Sequence, residues 1–127
     1  MSAPTRRYED AVARYFEAWN AGPDAVAKAV AAAWTEDGGY TDPLADVRGH
    51  DGIAAVIVAA HEQFPGFSFR LSGPVDGHHD TARFSWELVS DAEEGLAPVA
   101  GFDVITLDGE DRIRSVFGFL DRVPAGA

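Results

Sequence analysis

The spacing of apolar residues changes once along the chain, at Phe67, and this change constrains the fold more than any other feature. Before it, apolar residues recur every three or four positions, which is typical of amphipathic helices. After it, Phe67, Phe69 and Leu71 alternate with polar residues, which is typical of strands with one buried face. The sequence therefore predicts an α+β fold in which helices pack on one face of an antiparallel sheet.

Three helices are predicted in the first half of the chain. The first carries Trp19 near its end and stops at the Asn-Ala-Gly-Pro turn that follows, because glycine suits a helix C-terminus and proline cannot continue the helix. The second begins after a cap at Asp24 and extends through Trp34 to an Asp-Gly-Gly segment. The third begins with a cap at Asp51 and ends at the Pro-Gly pair after Phe64.

Five strands are predicted, one short strand among the helices and four long strands after them. The expected order is a strand at 40–43, a loop at 46–50, strands from 67 and around 84–88 separated by a turn at 76–80, a strand at 99–107, a turn at 108–111 and a strand at 113–120. A twisted sheet of this length would curve around the helices and leave one cavity at its open end.

The composition limits the class of protein. The chain of 127 residues suits one domain, predicted to span residues 1–127, with a core that needs no disulfide. Its 10 Lys and Arg against 21 Asp and Glu give a formal net charge of −11, which argues against nucleic acid and anionic membranes as partners. The absence of cysteine excludes thiolate chemistry. No segment resembles a signal peptide or a membrane span, so a cytoplasmic location is expected.

Asp103 is the most informative single residue, because it lies in the middle of the apolar strand predicted at 99–107. Aspartate is depleted in strands, and the residues on both faces of this strand are apolar. A buried carboxyl group must find a hydrogen-bond partner or remain protonated with a raised pKa. A structural aspartate with an ordinary partner and a functional acid in a cavity both fit this pattern.

Two further residues are candidates for the same cavity. Asp42 precedes Pro43, which is ordinary turn chemistry but also places a carboxylate at the end of a strand. Tyr15 lies on the apolar face of the first helix, where a buried hydroxyl group needs a partner that a carboxyl group could provide. Five other residues are predicted to line the cavity: Trp19, His61, Ile105, Gly118 and Leu120. The four histidines show no metal-ligand spacing, so no metal site is expected.

Some aromatic residues of the sheet are expected on its outer face, away from the helices. They are either Phe84 and Trp86 or the phenylalanines of the last strand. An exposed aromatic sheet face implies a partner, most simply a second copy of the chain, so a homodimer through the convex sheet face is predicted.

Four segments of the chain resemble a known superfamily. They are ARYFEAWNAG at 13–22, YTDP at 40–43, GFD at 101–103 and DRIRSV at 111–116. Together they are similar to the nuclear transport factor two-like superfamily, and most of all to its SnoaL-like and ketosteroid-isomerase-like branch. The resemblance implies a cystatin-like cone, in which a curved antiparallel sheet wraps around three helices and encloses one apolar pocket, often in a homodimer.

The resemblance also implies roles for three residues. Tyr15 and a protonated Asp103 would donate hydrogen bonds to an oxyanion, while Asp42 would carry the proton. The expected function is binding of a small hydrophobic molecule, with cofactor-free isomerase or cyclase chemistry on a carbonyl substrate. The alternatives are a non-catalytic ligand-binding domain and a dimerisation domain with an unused pocket.

Overall fold

The computed structural model describes residues 3–92 and 97–124. In chain order the helices and strands are α1 (Ala3–Trp19), α2 (Val26–Ala33), β1 (Trp34–Asp42), β2 (Ala45–Arg48), α3 (His50–Gln63), β3 (Phe67–His78), β4 (Thr81–Ser90), β5 (Val99–Leu107) and β6 (Ile113–Arg122). The strands form one curved, unclosed sheet in the order β2-β1-β6-β5-β4-β3. The predicted α+β fold class, a curved sheet around three helices, is confirmed.

One pairing in this sheet is parallel. Strands β3 to β6 form the predicted antiparallel meander, but β6 then pairs with β1 in the same direction, with Tyr40 opposite Val116. The pairing joins strands from the two halves of the chain. Local residue patterns report which face of a strand is buried and not which distant strand lies beside it, so the sequence did not indicate this direction.

The segment between α2 and α3 differs most from the prediction. Helix α2 ends at Ala33, and Trp34 is the first residue of β1, with an extended backbone and a fully buried side chain. The loop predicted at 46–50 contains most of β2, which pairs antiparallel with β1. Trp34 fits the helical spacing by chance, because an apolar residue at a helix end and one at a strand start leave the same mark in the sequence.

Neither predicted aspartate cap is used. The residue before α2 is Ala25, and the carbonyl oxygen of Gly22 accepts hydrogen bonds from the amides of Ala25 and Val26. The residue before α3 is Gly49, whose φ of 89° favours glycine, so α3 begins one residue before Asp51. No side-chain hydrogen bond caps the start of either helix.

The strand positions in the second half agree more closely with the prediction. Strand β5 has the predicted bounds, and β6 starts at the predicted residue and runs two residues further. The predicted turn at 76–80 is too long, because β3 continues to His78 and pairs with Thr81 across a two-residue turn. A register shift between Ser72 and Asp76 absorbs the extra length of β3.

Helix α1 is held on the concave face of the sheet at the β3–β4 turn. The Tyr8 hydroxyl donates a hydrogen bond to the carbonyl oxygen of His79 at 2.8 Å. Arg7 forms ion pairs with Asp80 and Asp111, in the two turns at this end of the sheet. These contacts fix the direction of α1, so that its apolar face, which includes Tyr15, lies against the sheet.

The open question of which aromatic residues face outward is settled by the packing. Phe84 is buried in the core and packs against Tyr15. Trp86 packs against the same core from the concave side. The phenylalanines of β6, Phe117 and Phe119, are 44% and 51% exposed. Among the described residues, no helix is long and apolar enough to cross a membrane.

Candidate active site

A cavity of about 890 Å³ lies between α1, α3 and the concave face of the sheet. Its wall is mostly apolar, with five aromatic side chains that carry no ionisable group: Phe16, Trp19, Phe64, Phe69 and Trp86. Two carboxyl groups, Asp42 and Asp103, and two tyrosines, Tyr15 and Tyr40, also line it. A large apolar cavity with a few converging polar groups is the usual form of a small-molecule site.

Asp103 lies on the concave face of β5 and is only 3% exposed. Its Oδ2 accepts a hydrogen bond of 2.5 Å from the Tyr15 hydroxyl, and its Oδ1 accepts one of 3.1 Å from Trp86 Nε1. Trp86 reaches across because Gly101 has no side chain: a Cβ there would lie 2.8 Å from the indole ring. The strand therefore brings one buried acid between two side-chain donors.

Burial raises the pKa of Asp103 to about 6, because the ionised form loses its hydration inside the apolar cavity. The hydrogen bonds from Tyr15 and Trp86 act in the opposite direction, and the negative charge of Asp42 adds to the increase. The pKa of Tyr15 is raised well above its usual value, first by burial and then by the charge of Asp103. Tyr15 is therefore a neutral hydrogen-bond donor at physiological pH.

Asp42 lies at the end of β1 and is half-buried. Its Oδ1 accepts hydrogen bonds from the backbone amides of Leu44 and Ala45, at 2.8 and 2.9 Å, as the chain turns into β2. Its Oδ2 accepts a hydrogen bond of 2.5 Å from the Tyr40 hydroxyl. The local turn that Pro43 favours thus fixes the carboxylate at the edge of the cavity.

The two carboxyl groups lie on either side of Gly118, on β6. A Cβ at this position would be 2.8 Å from Asp103 Oδ1 and 3.3 Å from Asp42 Cβ. The parallel pairing of β1 with β6 and the antiparallel pairing of β6 with β5 bring the two acids to this glycine from opposite sides. A site with two neighbouring acids therefore depends on the pairing that local patterns did not indicate.

The structure brings Tyr15, Asp42 and Asp103 to one cavity, together with Trp19 and Leu120. The other three residues that were predicted to line the cavity are not part of its wall. Ile105 is fully buried in the core, His61 turns its Nε2 toward the carbonyl oxygen of Trp19, and Gly118 lies in the sheet between the two acids.

Tyr40 and Trp86 were not predicted as site residues, although each donates a hydrogen bond to one of the acids. Tyr40 lies two residues before Asp42 on the same strand, and alternation along β1 places both on one face. That spacing is the sequence signal that could have identified Tyr40. Trp86 carries no comparable signal, because alternation along β4 does not show which face of the strand points toward the helices.

No lysine, arginine or histidine lines the cavity within residues 3–92 and 97–124. The same residues contain no group of three or more acidic or histidine side chains that could hold a metal ion. A second, smaller hollow of about 370 Å³ lies on the outer face of the sheet, and its ionisable lining residues, Asp76 and Arg83, are exposed. The buried acid–base groups therefore occupy the larger cavity.

The fold and cavity define a class of proteins, α+β cones that hold acidic groups in an apolar pocket. The sequence profile of the SnoaL-like domain matches residues 12–116 of the chain. The protein belongs to the SnoaL-like family, as its sequence resemblance predicted. No match was found among the curated proteins.

Solved structures agree with this assignment. A protein of Agrobacterium tumefaciens str. C58, named as a candidate isomerase of the SnoaL-like family, is 40% identical, with a TM-score of 0.84 over 91% of this chain and 98% of that chain. A candidate SnoaL-like polyketide cyclase from Jannaschia sp. CCS1 is 19% identical, with a TM-score of 0.73 over 92% and 87% of the chains. A protein of unknown function with a cystatin-like fold from Nostoc punctiforme PCC 73102 is 13% identical, with a TM-score of 0.75 over 98% and 96%. The last two support the fold alone.

Proposed function

We propose that the protein is a cofactor-independent enzyme that moves a proton on a small hydrophobic carbonyl compound, as an isomerase or a cyclase. The observation that carries this proposal is the buried carboxyl group of Asp103, with a pKa of about 6, on the wall of an apolar cavity. A buried carboxyl group that is partly protonated near neutral pH can donate a hydrogen bond to a developing oxyanion. The similarity to the Agrobacterium protein, named as a candidate isomerase, supports the isomerase form.

The proposed reaction uses the two acids for different steps. The substrate oxygen binds at Tyr15 and Asp103, and Asp42 removes a proton from the neighbouring carbon, so that the bonding electrons move to the oxygen and form an enolate. Tyr15 and protonated Asp103 stabilise the enolate by hydrogen bonds. Asp42 then returns the proton to another carbon of the conjugated system. In the cyclase form the enolate carbon instead attacks a second carbonyl group and closes a ring, the first carbonyl group re-forms, and Asp42 gives its proton to the new alkoxide.

This mechanism requires Asp103 in its protonated form and a change at Tyr15. In the free protein Tyr15 donates to Asp103, so the hydroxyl group must turn to the substrate oxygen when the substrate binds. With a pKa of about 6, about a tenth of Asp103 is protonated at pH 7. An apolar substrate displaces water from the cavity, and the added desolvation favours the protonated form further.

The charge of the cavity favours an uncharged substrate. Two acids line it, and no cationic side chain of the described residues does so. An anionic ligand would have to enter an apolar space beside Asp42 and, at neutral pH, a largely ionised Asp103, without a counter-ion. We therefore propose a neutral hydrophobic ketone or ester as the substrate class.

Hydrogen–deuterium exchange at the α-carbon tests the proton transfer directly. A panel of neutral hydrophobic ketones, including β,γ-unsaturated ketones, is incubated with the protein in D₂O and followed by proton NMR. We expect exchange with the wild-type protein and a loss of about a hundredfold in Asp42→Asn, which keeps the shape of the side chain but not the base. Asp103→Asn is expected to lower the rate less, because an amide can still donate a hydrogen bond.

Asp76→Asn is the matched control for these variants. Asp76 lies on the outer face, where it forms an exposed ion pair with Arg83, so its replacement should leave exchange unchanged. Wild-type protein that exchanges no member of the panel would contradict the proposal. Equal rates in the wild type and Asp42→Asn would contradict the role given to Asp42.

A non-catalytic binding protein is the second candidate function. This function is favoured by the hydrogen bonds within the free protein, because the Tyr15 and Tyr40 hydroxyl groups already donate to the two acids. It predicts saturable ketone binding without exchange. A dimerisation domain with an unused pocket is favoured less, because Trp19 and Trp86 leave about 890 Å³ open instead of filling it.

We also propose that the outer face of the sheet pairs with a second copy, and that the protein works in the cytoplasm. Phe117 and Phe119 are about half exposed, and Phe119 stacks on Phe102 with ring centroids 5.0 Å apart. Sedimentation velocity of Phe119→Asp tests the dimer, with Leu71→Asp on edge strand β3 as the control. We expect the first variant to be monomeric and the second to remain dimeric; a monomeric wild type would contradict the pairing.

A further inference from the structure

We propose that Tyr40 is the positioning residue of the base, Asp42, an inference that rests on the proposed function. Tyr40 and Asp42 alternate on one face of β1, and the Tyr40 hydroxyl donates a hydrogen bond of 2.5 Å to Asp42 Oδ2. Both residues line the cavity. The Tyr40 hydroxyl group therefore contacts the Asp42 carboxylate within the cavity that a substrate would enter.

The number of donors around Asp42 gives Tyr40 its importance. A carboxylate has about four lone-pair sites, two on each oxygen. The amides of Leu44 and Ala45 occupy both sites on Oδ1, and Tyr40 occupies one on Oδ2. One site remains, on Oδ2, and it is the site that can accept the substrate proton. The two amides hold one oxygen, and Tyr40 sets the direction of the free site on the other.

The surroundings of Tyr40 keep it a donor. Its ring is 6% exposed and packs against Trp19 with centroids 5.4 Å apart, which fixes the position of the hydroxyl group. Burial raises the pKa of Tyr40, and the hydrogen bond to Asp42 and the charges of Asp42 and Asp103 raise it further. Tyr40 therefore stays protonated over the whole pH range in which a carboxylate can act as a base.

The chain provides its own matched control, because the hydroxyl group of each of its three tyrosines donates to a different partner. Tyr15 donates to Asp103, Tyr40 donates to Asp42, and Tyr8 donates to the backbone carbonyl of His79, outside the cavity. Tyr8 is buried like the other two. Tyr8→Phe therefore removes a buried hydroxyl group without touching either acid.

The test compares Tyr40→Phe with Tyr8→Phe in the α-proton exchange assay over a range of pH. In Tyr40→Phe we expect kcat to fall about tenfold with KM nearly unchanged, because the base loses its orientation while the binding surface remains. Tyr8→Phe should change neither quantity.

A second measurement does not depend on activity. Carboxyl carbon NMR of protein labelled at aspartate reports the hydrogen bonding of Asp42 at one fixed pH, with its signal assigned as the one missing in Asp42→Asn. The signal should shift in Tyr40→Phe, which removes a donor, and stay in place in Tyr8→Phe. If Tyr40→Phe does not fold, 3-fluorotyrosine at position 40, a stronger donor, should shift the signal in the opposite direction.

The outcomes separate this inference from the proposed function. An active wild type, with kcat, KM and the Asp42 carboxyl signal unchanged in Tyr40→Phe, overturns the role of Tyr40 and leaves the proposed function standing. A wild type without exchange contradicts the proposed function, and the Asp42 carboxyl signal then decides by itself whether Tyr40 holds Asp42.

Discussion

Asp42 and Asp103 face the same cavity, and each accepts a hydrogen bond from a tyrosine, but the rest of their surroundings differ. Asp103 is in the middle of β5, is almost fully buried, and accepts hydrogen bonds only from the side chains of Tyr15 and Trp86 among the described residues. Asp42 is at the end of β1, is half-buried, and accepts two of its three hydrogen bonds from backbone amides.

Position in the sheet explains this difference. Asp103 lies in the ladder between Phe84 on one side and Gly118 on the other, so the neighbouring amides already serve the sheet and only side chains remain as donors. At the end of β1 the ladder stops and the amides that follow are free to bind Asp42. Two acids of one type thereby receive different environments, which is how a site separates an acid from a base.

The largest expected effect concerns the cost of burying Asp103. Its pKa is about 6 in the folded protein against an ordinary value of 3.8, so the folded state binds the proton more tightly than the unfolded state. The stability from this group is fully present below pH 3.8 and is lost as pH rises through 6. The loss amounts to about 3 kcal/mol of the free energy of unfolding.

Asp103→Asn removes this dependence, because the amide does not titrate. Chemical denaturation near pH 4 and near pH 7.5 should show the wild type losing about 2.4 kcal/mol more than the variant between the two conditions, because the unfolded carboxyl group is already partly ionised at pH 4. Asp76→Asn, which changes an exposed carboxyl group outside the cavity, should follow the wild type. A wild-type pH dependence that Asp103→Asn leaves intact would show that the two acids are not distinguished by burial.

An intermediate effect is expected at Gly118, which separates the two acids. Gly118→Ala places a Cβ 2.8 Å from Asp103 Oδ1, so the carboxyl group must move by a few tenths of an ångström against its two donors. We expect α-proton exchange to fall about thirtyfold, or about 2 kcal/mol of activation energy, because small displacements of catalytic groups are costly.

Gly109→Ala is the control for this substitution, because a Cβ at Gly109 meets nothing within 4 Å. Both variants should keep cooperative thermal unfolding, and only Gly118→Ala should lose activity. Equal activities would mean that the spacing of the two acids is not critical to the reaction.

The comparison also separates what the sequence could predict from what it could not. Asp103 was found because a charged residue in an apolar strand breaks a local pattern, and Tyr15 was found because helical spacing puts its hydroxyl group on the buried face. The order of helices and long strands followed from the same periodicities. Asp42 needed the family resemblance, because an aspartate before a proline is also ordinary turn chemistry.

The missed features depend on contacts between distant segments. The parallel pairing of β1 with β6, which brings the acids together at Gly118, joins residues more than 70 positions apart. Trp86 reaches Asp103 from a neighbouring strand, and its face could not be assigned from alternation alone. Tyr40 was within reach of the sequence, but the strand that holds it was predicted too short to assign its two faces.

The smallest expected effect concerns Trp86, the donor that distinguishes Asp103 from Asp42. Trp86→Phe removes the hydrogen bond to Asp103 Oδ1 and keeps an aromatic ring near Phe69, so the pKa of Asp103 should rise above 6. Since the protonated form of Asp103 is the active one, the fall in activity at high pH should move up by about half a pH unit, or less than 1 kcal/mol. The rate profile of α-proton exchange measures this shift, with Trp34→Phe as the control, because the Trp34 indole donates to the backbone carbonyl of Gly39 and not to an acid. A basic limb that stays in place or moves down in Trp86→Phe would contradict the assignment of protonated Asp103 as the donor to the substrate oxygen.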